Sequence, residues 1–137
     1  MDKEELKKYR FMAGEILRIG YKILELQGRR DSLPVVIGKV DGSMSEFPYI
    51  KTKLSVPMDE PDRADRIDRQ ISELEAERDA LLLRVDKIQE FINSIPDEVD
   101  RNIFKMIYMD EKTQREAAEM LGFERSNVAK RIKRYIG

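Results

Sequence analysis

The sequence predicts an all-α protein: a long helical hairpin or coiled coil with an irregular or β-hairpin insert, followed by a carboxy-terminal helix-turn-helix of three helices. Three observations carry this expectation. Apolar residues recur at helical spacing along both arms of the chain. A heptad series runs through about four heptads with one charged interruption. Four of the five prolines fall between Pro34 and Pro61, which concentrates the helix breakers in one stretch.

The first helix is expected from about residue 2 to residue 26. Leu6, Tyr9, Ala13, Ile16, Gly20 and Ile23 recur at steps of three and four, and Met12, Ile19 and Leu26 widen the stripe. Such a helix has to bury its apolar face against something. Gly28 and the residues leading to Pro34 are expected to stop it. Residues 28–61 form the insert, with β-branched runs at Val35-Val36-Ile37 and from Ile50 to Val56, and an Asp41-Gly42 turn signal between them. A loose β-hairpin, an ordered loop and partial disorder all stay open there.

The second long helix is expected from about Asp62 to Ile95. Ala64, Ile67, Ile71, Leu74, Leu81, Val85, Ile88, Ile92 and Ile95 take a and d positions, and Arg78 interrupts them. The reading is a homodimeric coiled coil, with Ile67, Ile71, Leu74, Arg78, Leu81, Val85 and Ile88 as its oligomerisation seam. A hairpin with the first helix would use the same stripe. The two are compatible, because Leu82 and Phe91 extend the apolar surface. Arg78 either sets register or snorkels at a bundle edge.

Pro96 is expected to close that helix and open the next, with Asp97 and Glu98 in the first turn, where the positive dipole end favours acids. Val99, Ile103, Phe104, Met106, Ile107 and Tyr108 follow, then a link at Asp110-Glu111-Lys112. Thr113 and Glu116 form a Thr-x-x-Glu capping box that starts the next helix. Ala117 and Ala118 allow close crossing, and Gly122 supplies the positive φ of a tight corner. Val128, Ile132, Tyr135 and Ile136 are expected to pack on Ala117, Met120, Leu121, Ile103 and Ile107. The chain therefore divides into an arm, residues 1–95, and a helix-turn-helix domain, residues 96–137.

Composition narrows the chemistry. The chain has no Cys and no His, which excludes zinc fingers, thiol nucleophiles and Ser–His couples. No metal, cofactor or catalytic residue is expected, and no enzymatic activity. Acid pairs such as Asp59-Glu60, Asp97-Glu98 and Asp110-Glu111 read as caps and solvated loops. No stretch approaches the roughly 20 apolar residues of a membrane span, and Met1 to Lys8 lacks a signal-peptide core, so a cytoplasmic protein without membrane contact is expected.

The formal net charge is −1, so the distribution of charge decides what the chain attracts. From Arg125 onward there is no acidic residue, whereas Arg125, Lys130, Arg131, Lys133 and Arg134 are all cationic. A basic last helix behind a Gly corner is what a helix-turn-helix places in the DNA major groove. The expected base readers are Arg125, Ser126 and Lys130, with Asn127 as a further contact. Arg131, Lys133 and Arg134 are assigned to phosphate, and Thr113, Gln114 and Arg115 can touch the backbone at a helix N-terminus.

From Ile95 to Ile136 the sequence resembles the fourth conserved region of bacterial sigma factors. The string is Ile-Pro-Asp-Glu-Val-Asp-Arg-x-Ile-Phe, then Tyr108, then Thr-x-x-Glu-Ala-Ala-x-x-Leu-Gly-Phe, then Arg-Ser-x-Val. In that family the last helix reads a promoter element, which by position implies base contacts from Arg125, Ser126, Ala129 and Lys130. Glu124 stands where the family usually has a Ser or Thr cap, and Ala129 where an Arg often reaches a base.

The whole layout, with Phe47-Pro48-Tyr49 in the insert, is similar to small phage and prophage proteins of Gram-positive bacteria, including transcriptional regulators of the ArpU and RinA type. The resemblance implies a regulator of phage transcription, and together with the heptad seam the reading is a dimeric, sequence-specific protein on double-stranded DNA. Two alternatives stay open: a module docking on RNA polymerase or a sigma partner with weak DNA affinity, and a small terminase-like packaging protein.

Overall fold

The structure, a computed structural model, describes residues 1–33 and 60–136. All secondary structure among the described residues is helical. The helices are α1 (Lys3–Lys7), α2 (Tyr9–Ser32), α3 (Glu60–Asn93), α4 (Glu98–Phe104), a π-helical turn (Lys105–Met109), α5 (Gln114–Leu121) and α6 (Arg125–Lys133). Most of the expected insert, with both β-branched runs and the Asp41-Gly42 turn, lies outside the described residues.

Two boundaries differ from expectation. The first arm stays helical through Gly28 to Ser32. A helical Gly costs only about 1 kcal/mol relative to Ala, so Gly28 alone does not end a helix of 24 residues. Pro96 neither closes α3 nor begins α4. α3 ends at Asn93, and Asp97 is the cap of α4, its carboxylate accepting from the backbone N–H groups of Val99 at 2.8 Å and Asp100 at 3.2 Å. Arg101 seals the link by donating to the Ile95 carbonyl from Nε at 3.0 Å and Nη2 at 2.9 Å.

The chain forms two compact units. One combines Met1–Leu17 with Arg78–Gly137, and the other is Arg18–Glu77. The anticipated boundary between residues 95 and 96 falls inside the first. In the second unit Ile19, Ile23, Leu26 and Ala64 are buried, and Arg30 Nε of α2 meets Asp68 Oδ1 of α3 at 3.1 Å.

The first unit contains the main core: Leu6, Met12, Val85, Ile88, Ile92, Ile95, Ile103, Phe104, Tyr108, Ala118, Val128 and Ile132. Leu6 and Met12 from the amino-terminal helices share it with α3 to α6, so the helix-turn-helix does not supply its own core alone. A two-pronged ion pair joins α1 to α3: Arg84 donates to Glu5 from Nε at 2.8 Å and Nη2 at 2.6 Å. That hydrogen bonding holds the Glu5 carboxyl below the usual carboxylate range.

The expected oligomerisation seam is partly consumed inside the chain. Val85 and Ile88 are buried in the core just described, and Leu81 packs against it. The stripe that could have faced a second copy here meets the chain's own helices. Ile67, Ile71, Leu74 and Arg78 are half-buried. No helix among the described residues is long and apolar enough to cross a membrane.

Candidate nucleic-acid interface

The start of α5 follows from two side chains. Thr113 Oγ1 accepts from the Glu116 N–H and the Glu116 carboxylate accepts from the Thr113 N–H, both at 3.1 Å. These bonds, the backbone one first, hold the Glu116 carboxyl below its ordinary value. Just upstream the π-helical turn closes with the Asp110 N–H on the Lys105 carbonyl at 3.0 Å, and Glu111 takes a left-handed φ of 58°. The chain thereby turns sharply into the capping box.

The end of α5 follows from Gly122, whose φ of 73° is left-handed. The Phe123 N–H reaches the Ala118 carbonyl at 2.8 Å, closing the wide loop of a Schellman motif. Ala117 and Ala118 are buried where α5 meets α6. Val128 and Ile132 carry the inner face of α6. Met120, expected inside, is 62% exposed. The adjacent buried alanines set the inward sector of α5, and Met120 falls outside it.

α6 begins at Arg125 behind Glu124, which has extended backbone but makes no side-chain cap bond. Exchanging Glu124 for Ser is expected to stabilise the protein by about 1 kcal/mol, by satisfying an orphan N–H at the helix start. Thermal unfolding of the two proteins measures it; an unchanged or lower midpoint would contradict the capping argument.

The expected reading residues distribute as follows. Ser126, Lys130 and Lys133 are exposed and Ala129 is half-buried. Their spacing of three, four and seven residues from Ser126 puts them on one flank of α6. Arg125 is exposed at the first turn, and Asn127 is half-buried. Arg125 lines a shallow depression of about 330 Å³ together with Thr113, Gln114 and Arg115. The fold therefore brings the start of α5 beside the start of α6.

Arg131, expected on phosphate, is engaged within the fold. Its guanidinium donates to Asp100 Oδ1 at 2.7 Å, lies 3.8 Å from Asp97 Oδ2, and sits 5.2 Å from the Phe123 ring centroid. Nε is buried, with no hydrogen-bond partner among the described residues. This cation fastens α6 to α4. The physical reason is position: Arg131 follows Val128 by three residues and so leans toward the inner face. Arg134 lies 3.9 Å from Asp100 Oδ2, yet its side chain is 61% exposed and stays available.

Asp100, unmarked by the sequence reading, is the centre of this cluster and is 1% exposed. Tyr135 donates to its second oxygen at 2.7 Å. Burial is the largest single influence on the carboxyl and pushes its pKa up. The hydrogen bonds from Tyr135 and Arg131, with the charges of Arg131 and Arg134, outweigh it and hold the carboxyl below the usual range. The bond to Asp100 in turn pushes the Tyr135 phenol up. A signal was present in the sequence. Asp100 lies between Val99 and Ile103-Phe104 on an inward-facing stripe, where an acid needs a partner.

Exposed cations and small polar groups thus lie on a helix whose inner face is pinned by apolar packing and one buried carboxylate. Searches of curated proteins and of solved structures return no significant match. Residues 86–134 match the family model for Sigma-70, region 4, and the carboxy-terminal helices are accordingly a region-four-like helix-turn-helix.

Proposed function

We propose that this protein is a sequence-specific double-stranded DNA-binding regulator of transcription, of the kind carried by phages and prophages, and that it acts as a dimer. The observation that carries the DNA reading is the joint placement of Arg125 with Thr113, Gln114 and Arg115 around one depression, with Ser126, Lys130 and Lys133 along the flank. Lys133 and Arg134 displace counterions from phosphate, and Arg125, Ser126 and Lys130 discriminate base edges. The phage assignment is supported by the overall layout: an amphipathic arm, an insert, a heptad helix and a terminal helix-turn-helix.

The dimer is supported by apolar area left open in the first unit, where Phe11 is 68%, Leu17 63% and Leu83 58% exposed. Sedimentation velocity of the free protein tests it. A monomer at all concentrations removes the dimer and leaves the DNA reading standing.

The DNA reading is tested by selecting bound duplexes from a random pool and then titrating the enriched site. Arg125→Ala is expected to lose about 1–3 kcal/mol of discrimination against a substituted base, and Lys133→Ala to weaken all duplexes alike while lowering the salt slope by about 1. If no motif is enriched, or if polymerase is captured without DNA while duplex binding is absent, the reading fails in favour of a protein-docking module.

A further inference from the structure

The amino-terminal helices carry cations that the helix-turn-helix reading leaves without a task. Lys3 and Lys7, four residues apart, share one face of α1, and Arg10 stands near the start of α2. All three line a second depression, about 290 Å³, together with Tyr108, Glu111 and Gln114. Gln114 lines this depression and also the one beside Arg125. A single surface therefore runs from the first turn of α6, across the start of α5, to α1.

The charges on this surface are unequally committed. Arg10 Nε lies 3.5 Å from Glu111 Oε1, and Arg10 Nη1 donates to the Met109 carbonyl at 3.3 Å, so Arg10 ties the amino-terminal helix to the turn before α5. Lys7 Nζ lies 3.7 Å from Glu4 Oε1, with both side chains more than half exposed, a pairing that water and salt readily replace. Lys3 makes no ion pair among the described residues. Leu6, one residue before Lys7, is completely buried in the core shared with α5 and α6, so the lysines stand on a rigid support.

We propose that Lys3 and Lys7 form a second phosphate-binding element, which contacts backbone phosphates of the same duplex beyond those held by the helix-turn-helix. The proposal rests on the DNA-binding reading above. The partner is a phosphodiester backbone rather than a base edge, because two flexible ammonium groups beside an amide carry little base selectivity. The element adds affinity and footprint length without adding sequence preference.

The test uses the full chain with Lys3→Ala and Lys7→Ala combined, titrated with the selected duplex, a scrambled duplex and a shortened duplex trimmed on the flanks. At low salt the double variant is expected to bind both long duplexes roughly tenfold more weakly, with the slope of log affinity against log salt reduced by roughly 2. The selectivity ratio stays as in the parent protein, and the difference between parent and variant vanishes on the shortened duplex. The charge-preserving Lys3→Arg, Lys7→Arg pair retains the parent slope, which separates charge from any effect on folding.

An unchanged slope and affinity in the double alanine variant, while Arg125→Ala still relaxes selectivity, overturns this proposal and spares the helix-turn-helix reading. Loss of polymerase capture with DNA affinity intact overturns it too, in favour of a protein contact. Absence of duplex binding by the parent protein overturns both readings.

Discussion

Asp100→Ala is expected to lower the unfolding free energy by about 3 kcal/mol, near the low end for breaking a buried ion pair because Arg131 keeps some access to water. The carboxylate is 1% exposed and accepts from Arg131 and Tyr135, both at 2.7 Å. Truncation leaves a guanidinium and a phenol pointing at an empty site between α4 and α6. Asp100→Asn should cost less, since an amide still offers Tyr135 an acceptor. Urea unfolding at neutral pH gives the difference, and a loss below about 1 kcal/mol would show that solvent already satisfies Arg131.

The same carboxylate makes that difference depend on acidity. Its folded pKa is depressed. Its contribution is therefore fully present above the ordinary Asp value of about 3.9 and is lost as pH falls through the lower folded value. Parent and Asp100→Ala curves should run parallel around neutrality and converge only in strong acid. A difference that stays constant, or grows, as the pH falls below the ordinary Asp value would mean that the carboxyl is not held down.

Phe104→Ala is the second large effect, at about 4 kcal/mol. The ring is fully buried where α4 passes into the π-helical turn. It meets Phe91 edge-on at 5.9 Å, Tyr135 edge-on at 5.7 Å and Tyr108 at 5.6 Å. Its loss opens a cavity among α3, α4 and the segment after α6. It also loosens Tyr135, one of the two donors that hold Asp100. Denaturant unfolding measures the total. A double-mutant cycle with Phe91→Ala should return a coupling of about 1 kcal/mol, the usual worth of an edge-to-face pair. Independent, additive losses would contradict the packing described.

Much of this was legible in the residues. The helical periods, the capping box at Thr113 and Glu116, and the corner at Gly122 all reappear in the structure, because each is decided within a few residues of chain. What periodicity cannot decide is the identity of the partner. The stripe holding Val85 and Ile88 suits a second copy or the first helix equally well, and the buried state of both residues records which one the fold used.

The candidate site divides in the same way. Arg125, Thr113, Gln114 and Arg115 could be grouped because helix starts define their own geometry. Arg131 looked like its cationic neighbours, since composition does not show that Asp100, 31 positions upstream, reaches the same spot. The angular position of Arg131 relative to Val128 was available and would have singled it out. The lysines of α1 were invisible as part of the surface, because only the tertiary fold sets them beside Gln114.

The first compact unit draws on Met1–Leu17 and on Arg78–Gly137, and that has a consequence for biosynthesis. Leu6 and Met12 leave the ribosome long before the rest of their core, from Val85 to Ile132, is made. The leading segment must wait, its oily side exposed or held by a chaperone, at least until the second half of α3 is made. An early stop upstream of α6 would therefore release an aggregation-prone fragment rather than a smaller working protein.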